Sequence, residues 1–600
     1  MNIKLSDYIA QRLVELGIEQ VFMVTGGGAM HLNQSLGRHN GLNCIFNHHE
    51  QACAMAAESY SRLTHRPALV NVTTGPGGTN AITGVHGAWT DSLSMLVISG
   101  QVKYQTTIQS TGMSLRQYGD QEIDICKIVH SITKYSQMIS DPSSIRYHLE
   151  KAFYLATHGR PGPCWLDVPI DVQSSFINPD ELVGFNPEEL EHPWLSLDLL
   201  SESAEIISAI ELSERPVILA GSGVRISRSY EPFLQLIDRF QVPVVTGWNA
   251  HDLLPDEHSL YVGRPGTVGN RSGNFVIQNA DLILILGCRL NIRQISYNWT
   301  AFAPKAYKIM VDIDELEMQK PSLIIDKPIQ ADLADLIPFL LQQNIAAQPK
   351  HRVWLDWCKG RLKRYPVVLK EYWNSSKVNP YCFMDTFFKM LSDDQIVVAA
   401  NGSACVIGFQ AAVIKSKTRL WTNSGSASMG YELPAAIGAS YGAPAMPIVC
   451  FAGDGSIMMN LQELETIVGN KLPIKIFILN NAGYSSIYQT QKNFFDGVEV
   501  GASRNSGVTF PKFESLSKGF GLPYFKCDNH ASMESTIKQV MVHSGPVICE
   551  LILDDTQAFS PKLASKQLSD GSIVSPSLED MSPFLSQNEM AENIWKSSEK

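Results

Sequence analysis

No stretch of this 600-residue chain carries the roughly 18 consecutive apolar residues that a bilayer crossing requires; apolar runs such as Leu282–Gly287 are strand-length. The 11 cysteines include no CxxC pair and no other metal-ligand or disulfide spacing, and their odd count fits reduced, buried thiols in a cytosolic chain. Basic residues are in deficit. Against 59 Asp and Glu stand 48 Lys and Arg, a net charge of -11, so no cationic stripe is available to displace counterions from a nucleic acid. No period of about 20–50 residues recurs, which excludes a solenoid. The first 22 residues spread their charges through an amphipathic helical pattern and do not read as a signal peptide. The expectation is a cytoplasmic protein whose ligands are small molecules, with neither nucleic acid nor membrane as a partner.

What is present is a rhythm. Short β-rich runs (PALVNVTT, SMLVISG, RPVILAG, DLILILG, QIVVAANG, PIVCFAGDG, IKIFILNN) alternate with helical patterns, and most end in Gly, Thr, Ser or Asn. This is the pattern of βα units in parallel sheets, whose functional loops follow the strand C-termini. Two segments interrupt it: Ile177–Asp198, rich in Pro and acid, and the polar Gln342–Trp354. Read as linkers, they divide the chain into α/β domains of about 1–180, 190–345 and 360–555, followed by a Ser- and Pro-rich tail over 556–600 that wraps the surface.

The sharpest local signal is Gly453-Asp454-Gly455 at the end of an apolar run. Flanking glycines permit a tight turn and close backbone approach, and Ser456 falls near a helix start, where free N–H groups attract anions. Asp454 is a hard, acceptor-only oxygen ligand. The strand IKIFIL runs directly into Asn480-Asn481, placing a carboxylate and an amide oxygen at one sheet edge. That is half of an octahedral Mg²⁺ site, which a backbone carbonyl and diphosphate oxygens could complete.

This pair, together with FNHHEQACAMAAESYSR, TTGPGGTNAITG, MVTGGGAM and NSGSASMGYELPAAIGAS, resembles the thiamine diphosphate enzymes, and the whole chain resembles the acetohydroxyacid synthase (acetolactate synthase) family. The resemblance implies an α/β fold of three parallel-sheet domains: pyrimidine-binding, middle Rossmann-like and diphosphate-binding. It implies that Asp454, Asn481 and the carbonyl of Gly483 hold Mg²⁺. Glu50 would be the glutamate that hydrogen-bonds the cofactor's aminopyrimidine, a task suited to a partly desolvated carboxyl; His48 and His49 would shape the turn before it. Met429 would support the cofactor from below and the Ala427 carbonyl would hold its amino group. Gly27, Gly28, Gly75 and Gly77 would form the pyrimidine-side wall. Gly402, Ser403, Gly453, Gly455, Ser456 and Tyr484 would surround the diphosphate, and Gln121 would join the catalytic set. The assembly implied is a homodimer or homotetramer, in which Glu50 of one chain serves the cofactor held by Asp454 of another.

In the middle segment, Gly221-Ser222-Gly223 follows a strand but lacks the third glycine of a dinucleotide fingerprint. With Gly263–Arg293 and Val311–Met318 it resembles the FAD-binding domain of the same family. That implies Gly221, Gly223, Gly266, Arg289 and Asp312 as FAD contacts, although the family's RFDDR reads RLNIR here. The alternative is a Rossmann-like spacer. The implied reaction is decarboxylation of a 2-keto acid, pyruvate, and transfer of the two-carbon unit to a carbonyl acceptor. Decarboxylases of the family carry a His-His pair where Gln105–Ile125 has no His, which favours ligation; pyruvate oxidase stays open if FAD binds. Two departures bear on the acceptor. The Trp expected nine residues past Asn481 is Thr490, and the family's FQE is DQE, with Asp120 beside Gln121. Both place hydrogen-bonding groups where apolar surface is expected and point to a hydroxylated acceptor such as a nucleotide-linked keto sugar. An ordinary acetolactate synthase is the alternative.

Overall fold

A computed structural model describes residues 2–190, 197–567 and 570–596. Three six-stranded sheets form in sequence, each all-parallel. The first pairs strands in the order 43–46, 20–23, 69–72, 95–101, 163–169, 135–138, and the third in the order 419–421, 396–399, 448–453, 474–480, 547–552, 524–527. Counted from the first strand of each, both read 2-1-3-4-6-5. The middle sheet (261–263, 244–246, 216–220, 282–286, 307–312, 327–330) reads 3-2-1-4-5-6. In the outer sheets the chain reverses its direction of travel again at the last strand, but in every sheet the first reversal carries it to the other side of the first strand. The loops that leave the two strands at that reversal diverge, and the crevice between them is where open α/β sheets bind ligands.

Helices cover both faces, so the central strands are buried along most of their length and several read as unbroken apolar runs; Leu282–Leu286 and Ile396–Ala399 are examples. Each outer sheet has a core of its own on one face, and the two share a third core between them. Helix Glu50–Thr64, from the first sheet's domain, crosses helix Glu432–Gly442 from the third, and one apolar cluster runs through both. Small residues permit the crossing. A Cβ on Gly438 would fall 2.0 Å from the Ala56 carbonyl oxygen, and Ser59 Oγ donates to the Ala435 carbonyl at 2.7 Å.

The Gln342–Trp354 segment is less of a linker than its polarity suggests. Pro349 opens a helix that runs to Arg364 and buries Trp354, Leu355 and Cys358 in the middle-domain core. Six of the 22 residues of the other interruption, 191–196, lie outside the described residues. The tail after residue 555 returns across the middle domain: Asn274 Nδ2 donates to the Leu578 carbonyl at 2.9 Å, and Met581 is fully buried. Among the described residues no helix is long and apolar enough to cross a membrane.

Candidate active site

The reversal in the first sheet falls between strands Gln20–Met23 and Leu69–Val72. The loop after Met23 carries Gly27 and Gly28, and the loop after Val72 carries Gly75 and Gly77. A Cβ on Gly28 would fall 1.9 Å from Thr74 Oγ1, and Gly28 N donates to Thr73 Oγ1 at 3.1 Å, so the two loops interlock only because the first is glycine-rich. Gly75 takes a positive φ of 64°, and a Cβ there would strike the Gln121 carbonyl at 2.2 Å. The next crossover places Glu50 at the start of its helix. His49 Nδ1 caps that helix by accepting from Gln51 N at 3.1 Å, which is the turn-shaping part expected of it. Glu50 Oε2 accepts from Asn80 Nδ2 at 3.0 Å, and a Cβ on Gly77 would lie 3.7 Å from Oε1. Gly27, Gly28, Glu50, Gly75, Gly77 and Gln121 are therefore gathered at one sheet edge.

The third sheet repeats this arrangement. Its reversal lies between Ile396–Ala399 and Ile448–Gly453. The first loop turns at Gly402, φ 67°, into the helix that begins at Ser403, and the second carries Asp454. Gly453 is in register with Leu479 on the neighbouring strand, so Asp454 lies level with Asn480 and one residue short of Asn481. The two asparagines diverge there. Asn480 Nδ2 donates to Glu550 Oε1 at 2.5 Å, away from the turn. Asn481 Nδ2 donates to Ser403 Oγ at 3.4 Å, while its Oδ1 is buried with no donor in reach. Asp454 accepts from Gly455 N at 2.8 Å and Gly483 N at 3.2 Å, and burial pushes its carboxyl up to about 7. An orphaned amide oxygen, a desolvated carboxylate and the Gly483 carbonyl form an oxygen set that fits a hard divalent cation, whose charge would hold Asp454 ionised.

Around this set the turn is tightly braced. A Cβ on Gly455 would fall 2.2 Å from the Tyr484 ring. Ser456 Oγ donates to Glu432 Oε2 at 2.8 Å and accepts from Gly430 N at 2.9 Å, tying the turn to the loop of Ala427 and Met429. Ala427 sits at φ 55°, with its N–H donated to the Asn423 carbonyl at 2.7 Å. Met429 keeps 37% of its surface exposed, a large apolar side chain presented to open space. That space is a cavity of about 1750 Å³, and every residue expected on the diphosphate side, from Gly402 to Tyr484, lines it. Glu50, Gln121 and the four pyrimidine-side glycines do not. One chain does not unite the expected acid–base residue with the expected metal site.

A second cavity, of about 800 Å³, opens at the reversal of the middle sheet and is lined by Gly221, Gly223, Arg289 and Asp312, with Arg160 from the first domain. Its glycines serve the fold first: a Cβ on Gly221 would fall 2.2 Å from the Gly287 carbonyl oxygen. Burial raises the Asp312 carboxyl to about 6. Gly266 is not part of this wall. Its strand, Tyr261–Gly263, is the sheet's edge, so the loop that follows leaves toward the third domain, and Thr267 and Val268 line the larger cavity instead. Arg289 and Arg293 of RLNIR face different cavities, which this segment bridges.

Some residues of the larger cavity have no local sequence signal. Asn401 Nδ2 donates to the Ser428 carbonyl at 2.8 Å and to Asn423 Oδ1 at 2.9 Å, holding the Ala427–Met429 loop; only its place at a strand end hints at this. Lys562 comes from the tail and nothing around it in the chain suggests a site.

Three family models match the three parts in order: the thiamine pyrophosphate enzyme N-terminal TPP-binding domain over residues 3–128, the central domain over 203–340 and the C-terminal TPP-binding domain over 400–551. The chain belongs to the thiamine pyrophosphate (thiamine diphosphate) enzymes. It is 31% identical to the acetolactate synthase large subunit of Corynebacterium glutamicum, covering 94% of this chain and 89% of that one. Identity to the acetolactate synthase large subunit of Porphyra purpurea is 30%, over 92% of each chain. Acetolactate synthase isozyme 1 large subunit of Escherichia coli is 28% identical, over 93% of this chain and 95% of the other. Within the family the chain is an acetolactate synthase-like enzyme that forms carbon–carbon bonds.

Proposed function

We propose that this thiamine diphosphate-dependent carboligase removes CO₂ from pyruvate and transfers the two-carbon unit to a nucleotide-linked keto sugar, with Mg²⁺ held by Asp454, Asn481 and the Gly483 carbonyl. When bound, the cofactor would supply the electron sink for decarboxylation and carbon–carbon bond formation, and the protein supplies position, charge and dryness. Met429 would support it, the Ala427 carbonyl would orient it and Glu50 would hold a proton beside its ring. Because Glu50 and Gln121 lie outside the cavity of their own chain, a second copy must present them, and the working unit is at least a homodimer.

The observation that carries the acceptor class is the charge of the larger cavity's wall. Thr490 lines it in place of a large aromatic, beside Lys492 on helix Ser485–Phe494. Of the carboxylates on the same wall, Asp555 is paired with Lys377 at 2.8 Å and Glu499 accepts from Ser503, whereas Lys492, Arg504 and Lys562 form no ion pair with described residues. Cations without an ion pair on this wall suit an acceptor that bears a diphosphate. The second reading is a biosynthetic acetolactate synthase, which the names of the relatives favour.

Supplying pyruvate with a second pyruvate, with 2-ketobutyrate or with a nucleotide 4-keto-6-deoxy sugar, and comparing kcat/KM, decides between them. The sugar should win by on the order of 10⁴–10⁵-fold, the scale on which a site built for hydrogen bonding rejects an acceptor without the groups. A clear win for either keto acid leaves the acetolactate synthase reading.

The cavity of the middle sheet is read as an FAD site. Support comes from its place at the strand-order reversal and from Arg160 and Arg289 on its wall. Protein reconstituted with FAD and freed of excess by gel filtration should keep a flavin absorbance band. Colourless protein would mean the middle domain is a spacer.

A further inference from the structure

The Glu50 turn is held by a side chain from another domain. Glu463 opens helix Glu463–Gly469, nine residues after Asp454, in the diphosphate-binding part of the chain. Its side chain is completely buried. It crosses to the pyrimidine-binding part, where Oε2 accepts from Asn47 Nδ2 at 2.9 Å and Oε1 accepts from His48 N at 3.0 Å; Thr466 Oγ1 donates to Oε2 at 2.7 Å. No Lys or Arg pairs with it among the described residues. A carboxylate kept dry without a cation is costly unless donors saturate it, and here every donor belongs either to its own helix or to the two residues that precede the His49 cap and Glu50. The backbone route is short: strand Asn43–Phe46 ends, Asn47 N donates to the Met23 carbonyl at 3.2 Å, and the chain turns at His48 into the Glu50 helix. The turn has few other anchors. Phe46 and His48 are exposed, and Asn47 Oδ1 has no donor.

We infer that Glu463 is a positioning residue for Glu50: it fixes the Asn47–His48 turn from the opposite domain and so sets the direction in which the acid–base carboxyl projects. The inference rests on the reading of Glu50 as the acid–base group, but the latch itself does not.

Glu463→Gln keeps the size and one acceptor oxygen while replacing an acceptor aimed at Asn47 Nδ2 with a second donor. Turnover should fall on the order of 10–100-fold, as small misplacements of a catalytic group do, with KM for pyruvate and affinity for Mg²⁺–thiamine diphosphate changed by less than about threefold. Amide hydrogen exchange over residues 47–54, followed by mass spectrometry on the cofactor-free protein, should accelerate. Adding Asn47→Asp to Glu463→Gln restores an amide–carboxylate pair with its ends exchanged, and should recover both slow exchange and several-fold turnover. Accelerated exchange with wild-type turnover would overturn the proposal, as would unchanged exchange. A loss of turnover matched by an equal loss of cofactor affinity or thermal stability would also overturn it, since a generally weakened fold produces that result. Near-wild-type activity of Glu50→Gln would remove the underlying reading, and the exchange measurement would still report on the latch.

Discussion

Asp454→Ala should leave a folded protein that no longer retains Mg²⁺ or thiamine diphosphate. The carboxylate is 3% exposed at the end of a central strand, and the partners left to a metal are one amide oxygen and one carbonyl, neither charged. Losing the single anionic ligand from so small a set removes most of the ion's attraction to the protein, and the diphosphate is held chiefly through the ion. Cofactor affinity measured by quenching of tryptophan fluorescence should fall by at least ~100-fold; a charge-assisted contact of this kind is worth about 3 kcal/mol or more. Folding should survive, because in the absence of metal burial already pushes this carboxyl up to about 7 and its ionised form is a cost to the fold. Unaltered affinity would reduce Gly453-Asp454-Gly455 to a tight turn.

Glu50→Gln has the opposite signature. The substitution preserves the size of the side chain and one oxygen for Asn80 Nδ2, so Mg²⁺–thiamine diphosphate should bind within a few-fold of wild type while turnover falls on the order of 10²–10⁴-fold, the usual loss when an acid–base group is removed. The two defects should complement. In a two-fold symmetric dimer whose sites each take Glu50 from one copy and Asp454 from the other, a mixed dimer of the two variants has one fully wild-type site. Coexpression of Glu50→Gln with Asp454→Ala should then restore activity to about a quarter of wild type, whereas mixing without subunit exchange restores none. Failure of complementation in demonstrated mixed dimers would mean that Glu50 serves its own chain. Wild-type turnover of Glu50→Gln alone would end its assignment.

The amino-acid sequence by itself determined the parallel α/β class and the glycine-bounded turns, and it singled out the side chains proposed for the metal site. Each of these is a short-range property: a strand buried on both faces is mostly apolar, a strand-to-helix turn needs glycine where φ is positive, and a carboxylate and an amide at successive strand ends fall at one sheet edge. Other matters rest on which strands become neighbours, and only the tertiary structure decided them. The order 2-1-3-4-6-5 sets Gly402 and Asp454 on facing loops and, in the first sheet, Gly28 on Thr73 and Thr74. Strand alternation sends Asn480 to Glu550 and leaves Asn481 at the metal set. An edge position carries Gly266 away from the cavity of Gly221 and Asp312 although all three lie in the same domain. Glu463 resembled any helix-opening acid until packing of the first and third domains placed it against Asn47 and His48, 416 and 415 residues away in the chain. Contacts at such separation leave no periodicity in the sequence, because each partner obeys the local rules of its own element and the energy of the pair appears only when two surfaces meet.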